Sequence, residues 1–159
     1  MIWKPHVTVA AVIEQGGRFL LVEEHTALGI QFNQPAGHLD PGESIIAAVI
    51  RETLEETAYH FVPEALVGIY LWHQAAHDRT YLRFAFTGAI GAHEPDRPLD
   101  SGIIRAVWQT SGEMHAGKAS HRSPLVYDCM IDYLAGVEFK VVGDVSFDPV
   151  PSTCSFNGF

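Results

Sequence analysis

The sequence contains few cysteines and no long apolar segment. Its two cysteines, Cys129 and Cys154, form no CxxC pair, which argues against a disulfide scaffold and suits a reducing compartment. The longest apolar runs, residues 10–13 and 66–71, fall far short of the roughly 20 residues that span a bilayer. The first residues also lack the apolar core of an export signal, so we expect a cytoplasmic protein without a membrane anchor.

Basic residues are scarce as well. Lysine and arginine number 10 against 19 aspartates and glutamates, which gives a formal net charge of −9. Such a charge repels polyanions unless basic groups or bound cations are concentrated locally. We therefore expect no nucleic-acid polymer as a partner.

The composition is typical of a soluble globular protein. With 159 residues, 47% of them apolar and 18% charged, the chain is long enough for a single hydrophobic core. We expect one domain over residues 1–144. The prolines and polar residues that follow predict a loosely ordered tail over residues 145–159.

The residue pattern predicts a mixture of strands and helices. Alternating or continuous apolar residues predict strands over residues 6–13, 19–22, 61–72, 81–90, 103–108 and 137–142. Helices are predicted over Ile45–Thr57, with Ser44 as the N-cap, over Ser111–Ala116 and over residues 123–135. Gly, Pro, Asn and Gln make residues 29–41 a predicted loop, and residues 91–102 a second one.

The first predicted helix carries three glutamates on one side. At about 100° per residue, Glu52, Glu55 and Glu56 fall within an arc of about 100°, opposite the apolar stripe, so they are predicted to point outward. Clustered like charges are unfavourable on a helix, whereas Mg²⁺ prefers carboxylate oxygens. A solvated acidic face is the alternative interpretation.

The spacing around this helix resembles a known signature. Gly37 is followed after five residues by Glu43, after seven more by Arg51-Glu52, and after two more by Glu55-Glu56. This pattern resembles the signature of the Nudix hydrolases, which cleave a nucleoside diphosphate linked to another group. Thr53 and Ala58 depart from it, since the family has an aliphatic residue and a glycine there. Ala58 costs roughly 1 kcal/mol if the same turn is kept.

The resemblance implies a fold and a set of roles. The fold would be an α/β/α sandwich with a mixed sheet, and the cofactor would be Mg²⁺ or Mn²⁺. The implied metal ligands are Glu52, Glu55, Glu56 and the backbone carbonyl of Ala36, with Glu52 also a base that prepares the attacking water. Glu43 and Arg51 would pair and support the helix.

Four flanking segments, residues 4–10, 33–39, 82–84 and 122–126, extend the resemblance over most of residues 4–144. They are similar to a bacterial phosphatase branch of the family. That branch releases orthophosphate from nucleoside tri- and diphosphates and acts on hydroxymethylpyrimidine diphosphate and thiamine diphosphate. The implied partner is thus a small nucleotide or pyrimidine diphosphate, and the chain is expected to be a monomer or homodimer.

Further residues are candidates for the substrate site. Arginine matches phosphate in a bidentate fork and helix N-termini favour anions, so Arg83 and Arg122 are candidate phosphate contacts. Flat side chains could stack on a base. The remaining candidates are His6, His38, Trp72, Phe32 and Trp3. For each, an ordinary role in the core or in a surface ion pair is the alternative.

A further base or ligand is expected from a loop across the site. The candidates are Asp78, Glu94, Asp96 and Asp100, with residues 91–102 the first place to search. His73 and His77 could chelate a metal or form a plain surface pair.

The leading hypothesis is a metal-dependent pyrophosphohydrolase or phosphatase. One alternative is a non-catalytic module that binds a nucleotide as a sensor, although it would not need the three glutamates. Another is a Nudix enzyme with a narrower substrate, such as an oxidised deoxynucleotide or ADP-ribose.

Overall fold

The computed structural model describes residues 1–142 and 146–149. The strands of this part are β1 (His6–Val12), β2 (Glu14–Gln15), β3 (Arg18–Thr26), β4 (Gly29–Asn33), β5 (Ala36–His38), β6 (Tyr59–Gln74), β7 (Arg79–His93), β8 (Ile103–Thr110), β9 (Phe139–Val142) and β10 (Ser146–Pro149). Its α-helices are α1 (Ile45–Thr57), α2 (Ser111–Ala116) and α3 (Leu125–Leu134).

The strands form a mixed sheet and a smaller antiparallel one. The larger sheet has the order β10-β9-β6-β7-β1-β5, in which β1 and β7 are parallel and the other neighbours antiparallel. The smaller sheet joins β2, β3 and β4, with β8 paired to β3. The predicted α/β/α architecture with a mixed sheet is confirmed.

The side chains of β1 alternate between the two faces of the larger sheet, and each face carries one part of the hydrophobic core. Val9 and Ala11 pack with Val49 of α1 in one apolar cluster. Val12 packs with Met130 of α3 in the other. Because side chains alternate along a strand, one strand supplies both layers and fixes α1 and α3 on opposite sides.

Helix α1 has the predicted bounds and caps. The Ser44 hydroxyl accepts a hydrogen bond from the Ala47 amide at 3.1 Å. At the other end Ala58 adopts a left-handed φ of 60°, and its amide donates to the Leu54 carbonyl at 2.9 Å. The turn that favours glycine is therefore kept with an alanine in it. Buried Thr53 satisfies its hydroxyl by donating to the Val49 carbonyl at 2.7 Å.

Two sequence predictions need correction or completion. The predicted loop over residues 29–41 contains β4 and β5, because backbone pairing with β3 and β1 outweighs a loop-like composition. The predicted tail over residues 145–159 lies outside the described residues except for β10. None of the helices in the described ranges has the length and apolar character needed to cross a bilayer.

Candidate active site

The glutamates of α1 do not point into open solvent. Glu52 and Glu56 are 8% and 9% exposed, and Glu55 is half-buried. The prediction that all three point outward is wrong, because β5 packs over this side of the helix. A Cβ built on Gly37 of β5 would lie 2.1 Å from the Glu52 carboxyl carbon, so only a glycine leaves room for that carboxylate.

Arg51 holds several of these acids together. Its Nε donates to Glu43 at 2.8 Å, and its Nη1 donates to Glu52 at 2.7 Å and to Glu55 at 3.0 Å. Its Nη2 also donates to the His38 carbonyl at 3.1 Å, which ties the helix to β5. These contacts hold the pKa of Glu43 below its ordinary value, with the Arg51 hydrogen bond as the largest cause.

The structure brings a loop acid to the helix. Carboxylate oxygens of Glu52, Glu55 and Asp100 lie within 4.8 Å of one another. Asp100 is placed there by its own backbone, since its amide donates to the Glu55 carbonyl at 3.0 Å. This set of three is called the acidic cluster below.

The other three candidate loop acids bind other residues or lie outside the acidic cluster. Glu94 bonds to His60 at 2.7 Å and to Arg97 at 3.2 Å. Asp78 is exposed and lies 3.7 Å from His73. Asp96 is not part of the acidic cluster. Among the four candidates in the described part of the chain, only Asp100 meets the helix glutamates.

The acidic cluster suits a hard divalent cation. All of its donors are carboxylate oxygens from three different residues, the ligand type that Mg²⁺ and Mn²⁺ prefer over softer metals. Burial raises the pKa of Glu52, while the hydrogen bond from Arg51 opposes that shift. A bound cation would compensate the desolvated carboxylate directly, so the residues present fit the cofactor that the resemblance implies.

Glu56 lies apart from the acidic cluster, against β5. Its Oε2 accepts a hydrogen bond from the Ala36 amide at 2.9 Å. Burial raises the pKa of Glu56 to about 8, although the Ala36 hydrogen bond opposes the shift. Near neutral pH and without metal, this side chain is therefore largely a neutral acid.

This shift predicts a pH dependence of stability for the metal-free protein. The folded state retains a proton that the unfolded state, with an ordinary pKa of 4.5, releases, so Glu56 stabilises the fold at low pH and less as pH rises through about 8. In buffers with a chelator, we expect Glu56→Gln to gain Tm relative to the natural protein between about pH 5 and pH 8. Exposed Glu64, changed to Gln, is the control for the loss of a carboxylate at the surface. A pH-independent difference for Glu56→Gln would contradict the assignment.

A cavity of about 530 Å³ opens beside these acids. Glu52 and Glu56 line it from α1, and Ala36 and Gly37 line it from β5. Of the predicted substrate residues, the cavity lining includes Arg83, Arg122, His38 and Trp72. Glu52 thus belongs to both the acidic cluster and the cavity wall.

The two arginines differ in their environment. Arg83 is 7% exposed, and its Nη1 and Nη2 donate to the amide oxygens of Gln34 and Asn33 at 3.3 and 3.5 Å. Burial lowers the pKa of Arg83 from its ordinary value. Arg122 is half-exposed and forms an ion pair with Glu24 at 2.9 Å. Of these two arginines, Arg83 is the one with no carboxylate within ion-pair distance among the described residues.

Aromatic and histidine side chains lie toward the outer part of the cavity. Trp72 stacks on Tyr81 with 5.7 Å between ring centroids. His6 lies outside the lining but contacts the rings of Tyr81 and His38 at 5.4 and 5.9 Å. His77 lines the cavity.

Other candidate residues lie elsewhere. His73 Nδ1 lies 3.2 Å from the Thr80 hydroxyl, and His73 is not in the cavity lining, whereas His77 is. Trp3 is 66% exposed and is not in the lining.

The stacking role suggested for Phe32 does not agree with its position. On β4 the side chains of Gln31 and Asn33 face the cavity, so Phe32 between them faces the other way. It packs against the apolar cluster beneath α3. Its carbonyl accepts a hydrogen bond from the Arg122 amide at 2.8 Å, which makes its role structural.

Several polar residues of the cavity do not stand out in the sequence. They are Thr8, Gln31, Asn33, Tyr81 and Ser123. The signal for Thr8 is present, since it is the polar residue in the otherwise apolar β1 run of Val7, Val9 and Ala10. Gln31, Asn33 and Tyr81 could be found only after the pairing of β4 and β7 was known, and Ser123 only after the position of α3 was known.

Comparison with known proteins assigns the class. A family model of the NUDIX domain matches residues 4–129, and the chain belongs to the Nudix family. The predicted resemblance and fold are confirmed.

The similarity extends to particular proteins. Phosphatase NudJ of Shigella boydii is 37% identical over 150 residues, covering 92% of this chain and 95% of that protein. Phosphatase NudJ of Escherichia coli K12 is 36% identical over 149 residues, with the same coverage of 92% and 95%. A solved NUDIX hydrolase from Nitrosomonas europaea is 55% identical, with a TM-score of 0.85, and the match covers 87% of this chain and 94% of that one. The predicted enzyme class, a hydrolase, is confirmed.

Proposed function

We propose that this chain is a divalent-metal-dependent hydrolase of phosphoanhydride bonds that acts as a phosphatase. Its substrates would be nucleoside tri- and diphosphates, with release of orthophosphate, and small pyrimidine diphosphates such as hydroxymethylpyrimidine diphosphate or thiamine diphosphate. The proposal depends on one observation. Glu52 is part of the acidic cluster and also lines the cavity. The name of the NudJ relatives supports the phosphatase activity.

The chemistry requires charge neutralisation and an oriented water, because phosphate oxygens repel a nucleophile. A bound Mg²⁺ or Mn²⁺ would neutralise those oxygens and lower the pKa of a coordinated water. Glu52, Glu55 and Asp100 would hold the cation, with Glu56 and the Ala36 carbonyl beside them. Arg51 fixes Glu52 and Glu55 in place through its hydrogen bonds.

Glu52 is the group placed to accept a proton from the attacking water, since its carboxylate reaches the cavity. In the metal-free protein burial raises the pKa of Glu52, and the Arg51 hydrogen bond opposes that shift. Arg83 offers a fixed positive charge to a phosphate oxygen. The aromatic side chains of Trp72 and Tyr81 offer a surface for the organic group.

Arg83 gives a testable contribution to substrate binding. A charge-assisted hydrogen bond contributes about 1.5–3 kcal/mol, so Arg83→Ala should raise KM by about 10- to 100-fold while changing kcat less. Arg83→Met keeps most of the buried volume and should show the same KM effect. Arg97→Ala, at an arginine bound to Glu94 outside the cavity, serves as the control. An unchanged KM in both Arg83 variants would remove Arg83 from the substrate site.

The function itself is tested by measuring the release of orthophosphate, pyrophosphate and nucleoside monophosphate from a panel of substrates, with Mg²⁺ and with a chelator. The panel includes ATP, ADP, hydroxymethylpyrimidine diphosphate, thiamine diphosphate, an oxidised deoxynucleotide and ADP-ribose. We expect metal-dependent release of orthophosphate from several members of the panel. Activity on one member alone would favour the narrower enzyme, and binding without hydrolysis would favour the sensor.

A further inference from the structure

Three polar side chains at the bottom of the cavity are buried without a hydrogen-bond partner at one of their atoms. Thr8, Arg83 and Ser123 are 6%, 7% and 6% exposed, and all three line the cavity. In the described part of the chain, Thr8 Oγ1, Arg83 Nε and Ser123 Oγ have no hydrogen-bond partner. A fourth such atom of the cavity lining, Glu24 Oε1, lies 2.9 Å from the Arg122 guanidinium. Buried polar atoms are almost always satisfied in native proteins, so the three atoms that lack any partner indicate a ligand that satisfies them.

The fold holds these side chains in one region. Thr8 and Arg83 are register partners on the parallel strands β1 and β7, so they lie side by side on the same face of the sheet. Gln34 connects Arg83 to α3, since its amide oxygen accepts from Arg83 Nη1 and its amide nitrogen donates to the Val126 carbonyl at 2.7 Å. Ser123 lies just before α3, with its carbonyl 3.3 Å from the Val126 amide.

The charged and polar groups around Thr8, Arg83 and Ser123 favour the binding of an anion. Arg83 contacts the amide oxygens of Gln34 and Asn33 and the thiol of Cys129, and no carboxylate within ion-pair distance of it is found among the described residues. The two unpartnered hydroxyl groups can donate hydrogen bonds, and the N-terminus of a helix favours negative charge. Of the nearby acids, Glu24 is paired with Arg122 and Glu56 bonds to the Ala36 amide. A tetrahedral oxyanion offers several acceptor oxygens, enough for one hydrogen bond from each of these three groups.

We propose that Thr8, Arg83 and Ser123 form a subsite for the terminal phosphate group, so that the substrate enters the cavity phosphate first. This inference rests on the proposed function, because it specifies which end of the substrate lies deepest. The organic group then lies toward the exposed rim, where Ala27, Leu28 and His77 line the cavity. The rim residues would make few specific contacts with a base or ring. The subsite would therefore let the same cavity accept chemically different organic groups.

The test uses two conservative variants, Thr8→Val and Ser123→Ala, each of which removes one hydroxyl and leaves the buried volume nearly unchanged. Inorganic phosphate is the probe for direct binding, measured by calorimetry. KM and kcat are measured with Mg²⁺ for ATP and for hydroxymethylpyrimidine diphosphate. Thr80→Val and Ser120→Ala are the matched controls, since both residues lie outside the cavity lining.

We expect each variant to weaken phosphate binding and to raise KM for both substrates by the same factor, about five- to tenfold, with kcat nearly unchanged. Both controls should match the natural protein. An increase in KM for one substrate alone, with phosphate binding unchanged, would show that these hydroxyls contact the organic group and would overturn the proposal. Unchanged values for phosphate and both substrates would do the same.

The two proposals fail separately. If the natural protein binds phosphate through these residues and hydrolyses nothing, the subsite stands and the hydrolase proposal falls. If it hydrolyses both substrates while the variants bind phosphate as the natural protein does, the hydrolase proposal stands and the subsite falls. Thermal melting of each variant shows whether it is folded, and Arg83→Met provides an independent loss of phosphate binding.

Discussion

Replacing Glu52 with glutamine should lower kcat by about three orders of magnitude or more, because the change removes a metal ligand and a general base together. Glutamine has nearly the same shape, and its amide oxygen can still accept the hydrogen bond that Arg51 now donates to Glu52 at 2.7 Å. The fold should therefore be kept. Orthophosphate release under saturating Mg²⁺ and substrate measures the effect, and thermal melting measures stability.

Glu64→Gln is the matched control for this experiment. Glu64 is an exposed acid of β6 that has the same side chain and lies outside the cavity lining. It should retain full activity. Normal turnover in a folded Glu52→Gln variant would contradict the role assigned to the acidic cluster.

Changing Gly37 to alanine is expected to have the second largest effect. The new Cβ would lie 2.1 Å from the Glu52 carboxyl carbon, so the carboxylate must move away. A displacement of about 1 Å in a catalytic group can cost about 100-fold in rate, so we expect kcat to fall by about 100-fold. Stability should change little, because the atoms displaced are the end of a flexible side chain.

Gly42→Ala is the informative comparison for Gly37→Ala. Gly42 has a φ of +79°, and a Cβ added there would meet nothing within 4 Å, so alanine strains the backbone without touching the site. It should cost about 1 kcal/mol of stability and leave kcat unchanged. The opposite pattern, with Gly37→Ala active and Gly42→Ala inactive, would show that the close contact at Gly37 does not position Glu52.

The sequence predicts the elements of this fold well where apolar residues repeat regularly. Helix α1 and its caps follow from Ser44, from the absence of Gly and Pro, and from the turn at Ala58. Strands β4 and β5 escape prediction, because their Gly and Asn residues and the proline between them are typical of loops, and only pairing with neighbouring strands makes these segments extended. Because β4 is not predicted, the sequence also does not show that Phe32 faces away from the cavity.

The sequence predicts the site residues on α1, but it predicts fewer of those on the opposite side of the cavity. Helical spacing places Glu52 and Glu55 of the acidic cluster on one side of α1, but it neither separates Glu56 from that cluster nor shows that β5 covers this side of the helix. Asp100 could be named only as one of four loop acids, since its position depends on a backbone hydrogen bond to Glu55. Ser123 depends on packing between the strands and α3, which spacing along the chain does not reveal, whereas Thr8 is marked by its polar side chain in an apolar strand.

The acidic cluster is proposed to bind a divalent cation at the edge of the cavity, and the rest of the proposed function depends on this. Crystals soaked with Mn²⁺ and a non-hydrolysable nucleoside triphosphate analogue test it most directly, because the anomalous signal of manganese locates the ion without reference to the protein atoms. We predict a peak between Glu52, Glu55 and Asp100, with the analogue's phosphates extending from it toward Arg83. A nucleotide bound with no manganese at these carboxylates would contradict the proposal.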